Sequence, residues 1–514
     1  EDRVVLTAFD VVDAVAASRH TVFVASTRGV AALDRDFGRW LPPLAFERGF
    51  GVFQSTTMAA DPVDEGVWIA SGGTVLYYRP STGDIVRGVV PGTVYDVFFD
   101  ERDPSAGAYL RGSAGWLLAD RTGMVSPVDP ARVPPNTALT GAPTLRTVYA
   151  AYPSLRGAAP LITRDADLRS WPVISGTASP DRAEVWLGTA GGGLYRVDPL
   201  FMKGEQLPFG LLQTATGALA RDSDGVWMAS IASGGSVRAG LTHASKDLQQ
   251  WRWLASPAVS RALNGARAFA MSIRGERLWL GTDRGLVALD AGDQDRALSW
   301  SATSGLQSDR VFAVAASDSG AWAGTERGLA WVRSGGSERA ARSSDVHAMH
   351  SPDMGVYSLL LRGDTLWVAS SSGLFLVRGA SPDSLPRRVN IQDARLIRPV
   401  LALAGSDSLV AVVTDRDLLV IDPATASLVS RFDAVNIAPI SPVSAMSMDA
   451  NTIWLTGPGG VLVVARSSGA SRLLPAPGPI PAEAMDVVLD PDFAWIATPE
   501  GVVRLRRASD GGVR

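Results

Sequence analysis

One short pattern recurs along the whole chain: apolar, aromatic, apolar, small, Ser or Thr, two variable residues, Gly, apolar. Clear copies begin with Val22-Phe23-Val24-Ala25-Ser26 and Val67-Trp68-Ile69-Ala70-Ser71, then Val185-Trp186-Leu187-Gly188-Thr189 and Val226-Trp227-Met228-Ala229-Ser230. They continue with Leu278-Trp279-Leu280-Gly281-Thr282, Ala321-Trp322-Ala323-Gly324-Thr325 and Leu366-Trp367-Val368-Ala369-Ser370. The last are Ile453-Trp454-Leu455-Thr456 and Ala494-Trp495-Ile496-Ala497-Thr498. Weaker copies centre on Tyr109, Tyr149 and Ala411. The aromatic position therefore steps through twelve copies, at intervals of 37 to 52 residues. Self-similarity at this period restricts the chain to repeat architectures in which each unit buries its face against its neighbours.

The run itself selects among them. Continuous apolar strands, rather than alternating ones, belong to sheets covered on both faces. Four-stranded sheets stacked face to face around an axis meet that condition, and their period is the one observed. The expected fold is all-β: a β-propeller of about twelve four-stranded blades. The Trp fills the space between blades, and the small residue two places on lets the next blade approach. The glycine six residues after the aromatic (Gly29, Gly285, Gly328, Gly373, Gly460, Gly501) suits a hairpin turn with positive φ. A preceding apolar run such as Val311-Phe312-Ala313-Val314-Ala315 is strand A, the Trp run is B, and the run after the glycine is C. The outer strand D is the least distinct.

The longest interval, 227 to 279, falls halfway along the copies. Two six-bladed rings, residues 10–260 and 261–514, are the simplest division; one large ring or unequal rings are the alternatives. The chain stops soon after strand C of the last copy, and Val4 to Phe9 form a strand ahead of the first strand A. Residues 1–9 are therefore expected to supply the missing strand D of the last blade, removing an open sheet edge.

Ser304-Gly305-Leu306-Gln307-Ser308-Asp309-Arg310-Val311, leading through Ala321-Trp322-Ala323-Gly324-Thr325-Glu326-Arg327-Gly328-Leu329, resembles the two-component-regulator propeller repeat. Glu184 to Val197 and Arg277 to Asp290 resemble it almost as well. That resemblance implies a propeller of the periplasmic sensor type. It departs from the family in carrying no membrane span or kinase after the repeats, and twelve copies where paired seven-bladed rings would carry fourteen. Arg79-Pro80-Ser81-Thr82-Gly83 and Asp422-Pro423-Ala424-Thr425 echo turns of quinoprotein-like propellers, without that family's cofactor ligands.

Composition excludes several chemistries. There is no cysteine, which removes thiolate metal sites, thiol catalysis and disulfides. The formal net charge is -4 with no Lys/Arg block, which argues against a nucleic-acid partner. No apolar stretch approaches the length of a membrane span. The chain opens on Glu1 rather than Met, which reads as an exported, periplasmic or otherwise extracytoplasmic bacterial protein with its signal peptide removed.

Candidate functional residues are few. His347 and His350, with Asp345 and Asp353, fall in an expected loop between strands D and A, on the face where propellers bind ligands. They could hold a metal or serve a lyase or lactonase. Arg28, Arg284, Arg327 and Arg416 recur in the B–C turns of the same face and could bind a polar ligand or partner. Asp-x-Asp pairs (Asp34/Asp36, Asp165/Asp167, Asp222/Asp224, Asp415/Asp417, Asp490/Asp492) read as turn caps in preference to calcium loops. Pro475, Pro477, Pro479 and Pro481 mark a stiff loop, either docking arm or spacer. No catalytic residue, metal or cofactor is assigned. The expected role is a non-catalytic scaffold or accessory subunit with protein partners, among them a membrane-embedded complex. A ligand sensor and a propeller-type lyase or lactonase are the alternatives.

Overall fold

The recurring Trp run forms the second strand of an antiparallel sheet, and its geometry follows from four side chains. In the sheet made of Ala268–Arg274, Arg277–Thr282, Gly285–Asp290 and Ala297–Trp300, Thr282 closes the hairpin. Its hydroxyl accepts from the Arg284 N–H at 3.0 Å and donates to the Gly285 carbonyl at 2.8 Å. Thr325 repeats this with Arg327 and Gly328, Ser370 with Ser372 and Gly373, and Thr498 with Glu500 and Gly501. Gly285, Gly328, Gly373, Gly460 and Gly501 have φ between +116° and +145°, conformations that L side chains rarely adopt; Gly29 is not among the positive-φ glycines. The Ser/Thr of the repeat is thus a turn-organising residue.

The computed structural model describes residues 3–41, 44–45, 56–142, 144–165, 168–231, 239–334, 341–349, 354–389, 398–433 and 437–508. The chain divides into two compact units: a larger one of Glu1–Thr7, Leu211–His243 and Trp253–Arg514, and a smaller one of Ala8–Gly210 and Ala244–Arg252. The expected division near residue 260 differs from this: the longest interval, 227 to 279, holds strands Leu241–Ser245 and Trp251–Leu254 of the Trp227 sheet and then the helix Pro257–Leu263, which lengthens it ahead of strand Ala268–Arg274.

The larger unit carries seven sheets among the described residues, named here by the repeat residue of their second strand: Trp227, Trp279, Trp322, Trp367, Ala411, Trp454 and Trp495. Their first strands run Thr216–Arg221, Ala268–Arg274, Val311–Ser317, Val356–Arg362, Val400–Gly405, Ala445–Met448 and Asp486–Leu489. Each packs on the next, and the last packs on the first. The fourth strand of the Trp495 sheet is Arg3–Leu6, antiparallel to Gly501–Arg506, with Val5 opposite Val503. The N-terminal strand thus completes the last sheet, as its pattern required.

Between sheets the Trp side chains carry the packing. Trp279 lies with Val311, Val314 and Ala323 of the following sheet, Trp322 with Met354, Val356 and Val368, and Trp367 with Val400 and Val412. Trp279, Trp322, Trp454 and Trp495 have no exposed surface. The small residue beside them permits the approach. A Cβ at Gly281 would meet the Val311 carbonyl at 2.6 Å, and one at Gly324 would meet Val356 Cγ1 at 2.5 Å. Where an Asp precedes the strand it holds the indole: Asp222 Oδ2 accepts from Trp227 Nε1 and Asp490 Oδ2 from Trp495 Nε1, both at 2.8 Å. The other oxygen of each caps the turn, accepting two backbone N–H groups. The turn-cap reading holds for Asp34, Asp222 and Asp490; Asp415 and Asp417 pair instead with Arg398 and Arg431, and Asp167 lies outside the described residues.

The smaller unit holds the Trp186, Phe23, Trp68 and Tyr109 sheets. Their first strands, Val173–Ala178, Ala14–Ala17, Thr56–Ala60 and Val94–Asp100, pack in that order. The expected strand around Tyr149 is not a strand. Leu145–Ala151 is a helix, followed by the helix Pro153–Ile162. Thr144 and Thr147 form a reciprocal cap at its start, and Val148 and Leu155 pack against Val185, Leu187 and Val197 of the Trp186 sheet. Leu145, Val148, Tyr149, Tyr152 and Leu155 have helical spacing, which a strand template misread. The proline segment is no free arm: Pro475 ends a strand, and Ile480 is fully buried under the Trp454 and Trp495 sheets.

At the junction of the first and last sheets, Asp486 Oδ2 accepts from the Leu219 N–H at 2.7 Å, and Oδ1 accepts from its neighbour Val487 N–H. Burial pushes the Asp486 carboxyl up to about 7, despite these two bonds. The shift stabilises the fold fully below the ordinary carboxyl value of about 4, and that stability is lost as pH rises through about 7. The difference is on the order of 4 kcal/mol. Urea midpoints should therefore fall between pH 4 and 7 in the wild type, and fall less steeply in Asp486→Asn, which keeps an acceptor but cannot titrate; parallel profiles would contradict the assignment. Trp322→Ala should cost about 3–5 kcal/mol in the same assay; a loss below about 1 kcal/mol would show that the Trp does not carry the packing.

Candidate binding face

Five first strands of the larger unit carry a register shift at their second residue: Gly217, Phe269, Phe312, Tyr357 and Leu401 each have no cross-strand partner. A bulge re-aims the residue it frees. Here it places aromatic rings in a line across three adjacent sheets, with centroids 5.5 Å apart for Phe269–Phe312 and 6.3 Å for Phe312–Tyr357. Tyr357 is 39 % exposed, and the two phenylalanines are half-buried.

The register puts these bulges at the end of each sheet that carries the hairpin between second and third strands, since Ala268 pairs Thr282 and Val311 pairs Thr325. Charged side chains ring the same end. Arg267 places its guanidinium 5.6 Å from the Phe269 ring and donates its backbone N–H to Asp283. Arg310 pairs with Glu326 at 3.6 Å and Arg398 with Asp415 at 3.6 Å. Arg284, Arg327 and Arg416 stand one residue further along the three turns, all exposed. Arg284 donates to the Asn264 carbonyl, and Arg416 lies 4.0 Å from Asp415. Three of the four arginines singled out in the sequence thus share one end of one unit, beside three more (Arg267, Arg310, Arg398) and the carboxylates Asp283, Asp309, Glu326 and Asp415. The fourth, Arg28, occupies the equivalent turn of the Phe23 sheet in the smaller unit, its N–H on Ser26 Oγ at 3.1 Å.

The histidine loop is placed differently from expectation. His347 is exposed on the outer strand Val346–Ala348, opposite Trp331, and not in the loop before a first strand. The short 3-10 turn Ser343–Asp345 starts the outer strand early. The Asp345 carboxylate accepts from the Arg342 N–H. His350 and Asp353 lie outside the described residues. Among the described residues no three His, Asp or Glu side chains come together as a metal would require, and no helix is long and apolar enough to cross a membrane.

The sequence exposed the turn arginines but not the aromatic line. Phe312 belongs to an apolar run that reads as buried strand, and only the bulge turns it outward. The available signal was the spacing of Arg267 to Phe269 and Arg310 to Phe312, an arginine two residues ahead of an aromatic at the start of the strand.

No family model matches the chain, and none of the curated proteins matches it. Among solved structures it is similar to PorZ, a surface component of the type IX secretion system of Porphyromonas gingivalis, with TM-score 0.52, 12% identity, 99% of this chain and 87% of that one covered. It also matches the extracellular domain of BT4673, assigned to a one-component system of B. thetaiotaomicron, with TM-score 0.44, 12% identity, 98% of this chain and 71% of that one. Virginiamycin B lyase from Staphylococcus aureus matches 57% of this chain over 96% of its own, at TM-score 0.44 and 11% identity. At these identities the likeness concerns the fold: nearly all-β, built from successive four-stranded antiparallel sheets of the propeller type.

The ion pairs of the face are solvent-exposed, so they contribute little to folding. Arg310→Gln and Asp415→Asn should each shift stability by about 1 kcal/mol or less in chemical denaturation; a larger loss would make the rim part of the folding framework.

Proposed function

We propose that the chain is a non-catalytic, extracytoplasmic propeller that serves as a docking subunit of a larger envelope or membrane-associated complex. In this reading the larger unit is a closed ring of seven blades, supported by the unbroken cycle of first-strand contacts. Its partner seats an acidic segment bearing an apolar or aromatic side chain on the face built by Phe269, Phe312 and Tyr357. The observation that carries the reading is the juxtaposition of that aromatic line with six arginines and four carboxylates. Apolar contact supplies affinity at the centre of such a patch, and the excess of guanidinium groups selects an acidic partner and speeds encounter. Arg and aromatic side chains are also the types that dominate binding energy at protein interfaces. The use of a similar fold as a bacterial surface component, in PorZ, accords with this placement.

The test is native purification in mild detergent, comparing wild type with a Phe312→Ser, Tyr357→Ser, Arg310→Glu triple variant, together with a photo-crosslinking phenylalanine analogue at position 312. A stoichiometric partner that is lost from the folded variant and crosslinked at 312 through an acidic segment is expected. Retention of the partner by the variant, or a wild-type chain that purifies alone, would overturn the reading.

A further inference from the structure

At the opposite end of the larger unit, where each first strand turns into the second, lies a cleft of about 1080 Å³. Five adjacent sheets line it, through Leu360 and Arg362, Ser406 and Asp407, Met448 and Asp449, Leu489 and Asp490, and Arg221, with Arg466 and Arg507 closing the side. Four arginines therefore converge on one open cleft.

Three of them are held by neutral partners. Arg221 donates to the Leu489 carbonyl at 3.0 Å, Arg362 to the Asp407 carbonyl at 2.5 Å, and Arg466 to the Asp449 and Ala450 carbonyls at 2.9 and 2.5 Å. Such bonds fix the direction of a guanidinium without neutralising its charge. The carboxylates nearby are largely committed. Asp490 is buried and satisfied by two backbone N–H groups and the Trp495 indole. Asp449 accepts from the Asn451 and Thr452 N–H groups and pairs with Arg507. The Asp407 side chain is exposed.

Two donors remain over. Arg362 Nη1 and Arg507 Nε are buried without any hydrogen-bond partner in the protein. The Arg507 side chain is only 6 % exposed, and burial holds its guanidinium below the ordinary arginine value. A buried donor with no acceptor is an uncommon arrangement in a folded protein and points to a missing acceptor. Arginine presents a planar fork matched to phosphate and carboxylate oxygens. Low-dielectric walls such as Leu360, Met448 and Leu489 strengthen that attraction.

We infer that this cleft is an anion-binding site for a small organic molecule carrying two or more phosphate or carboxylate groups. Arg362, Arg466 and Arg221 recognise its oxygens, and Arg507 anchors the floor. The site lies at the other end of the unit from the aromatic face, so its occupant and the docked partner do not compete for surface.

Isothermal titration of the full chain with inorganic pyrophosphate and, separately, citrate tests the inference. Binding at sub-millimolar dissociation constant is expected for at least one probe, weakening as salt rises from 50 to 500 mM. Arg362→Gln and Arg466→Gln should each weaken it about tenfold or more, whereas Arg132→Gln, at an exposed position of the smaller unit, should leave it unchanged. Pyrophosphate binding without citrate binding assigns a phosphate ligand, and the reverse a carboxylate. Circular dichroism and thermal unfolding of each variant distinguish lost binding from lost folding. No binding of either probe at 10 mM, or binding indifferent to both cleft substitutions, would overturn the site. Neither result depends on whether a protein partner docks at the aromatic face.

Discussion

The packing of a tryptophan against the first strand of the next sheet is the interaction on which the larger unit depends. Each sheet is apolar on both faces and cannot remain in water alone; each Trp covers one face of its neighbour, and in the sheet without one Ala411 and Val413 pack instead on Val443 and Met446. Gly281 and Gly324 show how tight the fit is, since a single Cβ would reach the following strand. A chain of such contacts has two unsatisfied ends unless the last sheet meets the first. Here it does, with Asp486 reaching across to the Leu219 N–H and the N-terminal strand completing the Trp495 sheet. Closure by a strand from the opposite end of the chain makes the unit cooperative, because the first and last sheets are then tied by backbone pairing as well as by packing.

That framework also explains where function can reside. Side chains in the middle of each sheet are taken up by packing, so variation is free only at the two ends, in turns and in the residues beside them. The two ends of the larger unit differ in chemistry. One offers two half-buried rings, one exposed ring and a mixed, Arg-rich rim, the surface proposed above for a protein partner. The other offers an open cleft with oriented guanidinium groups, the site inferred above for a small anion. The same repeat geometry produces both, because it gathers one residue from each of several sheets distant in sequence onto a common end.

The smaller unit shows what happens when the repeat lapses. At Tyr149 the local pattern shifts from strand to helix, and the pair of helices packs on the Trp186 sheet through Val148 and Leu155. Its core is maintained by different side chains. The weak resemblance of that segment to the repeat was a coincidence of three apolar residues, and the cap formed by Thr144 and Thr147 decides the matter in favour of helix.

The sequence by itself determined the local unit. The identity and order of the strands around each Trp, the glycine turns, the small residue required for close approach and the use of the N-terminal strand were all legible, because each rests on interactions within about fifty residues or on a simple edge that needs covering. Tertiary structure alone decided how the sheets are shared between the two units, and which side chains meet. Phe269, Phe312 and Tyr357 are separated by some forty residues each and turned outward by bulges, which no periodicity announces. Arg221, Arg362, Arg466 and Arg507 converge only once five sheets stand side by side. His347 followed the same rule in the opposite sense: its spacing to His350 suggested a site, and an early start of the outer strand placed it on an exposed edge. Short-range pattern specifies a strand and its turn; the meeting of residues across sheets depends on how many sheets stack and on where the register slips.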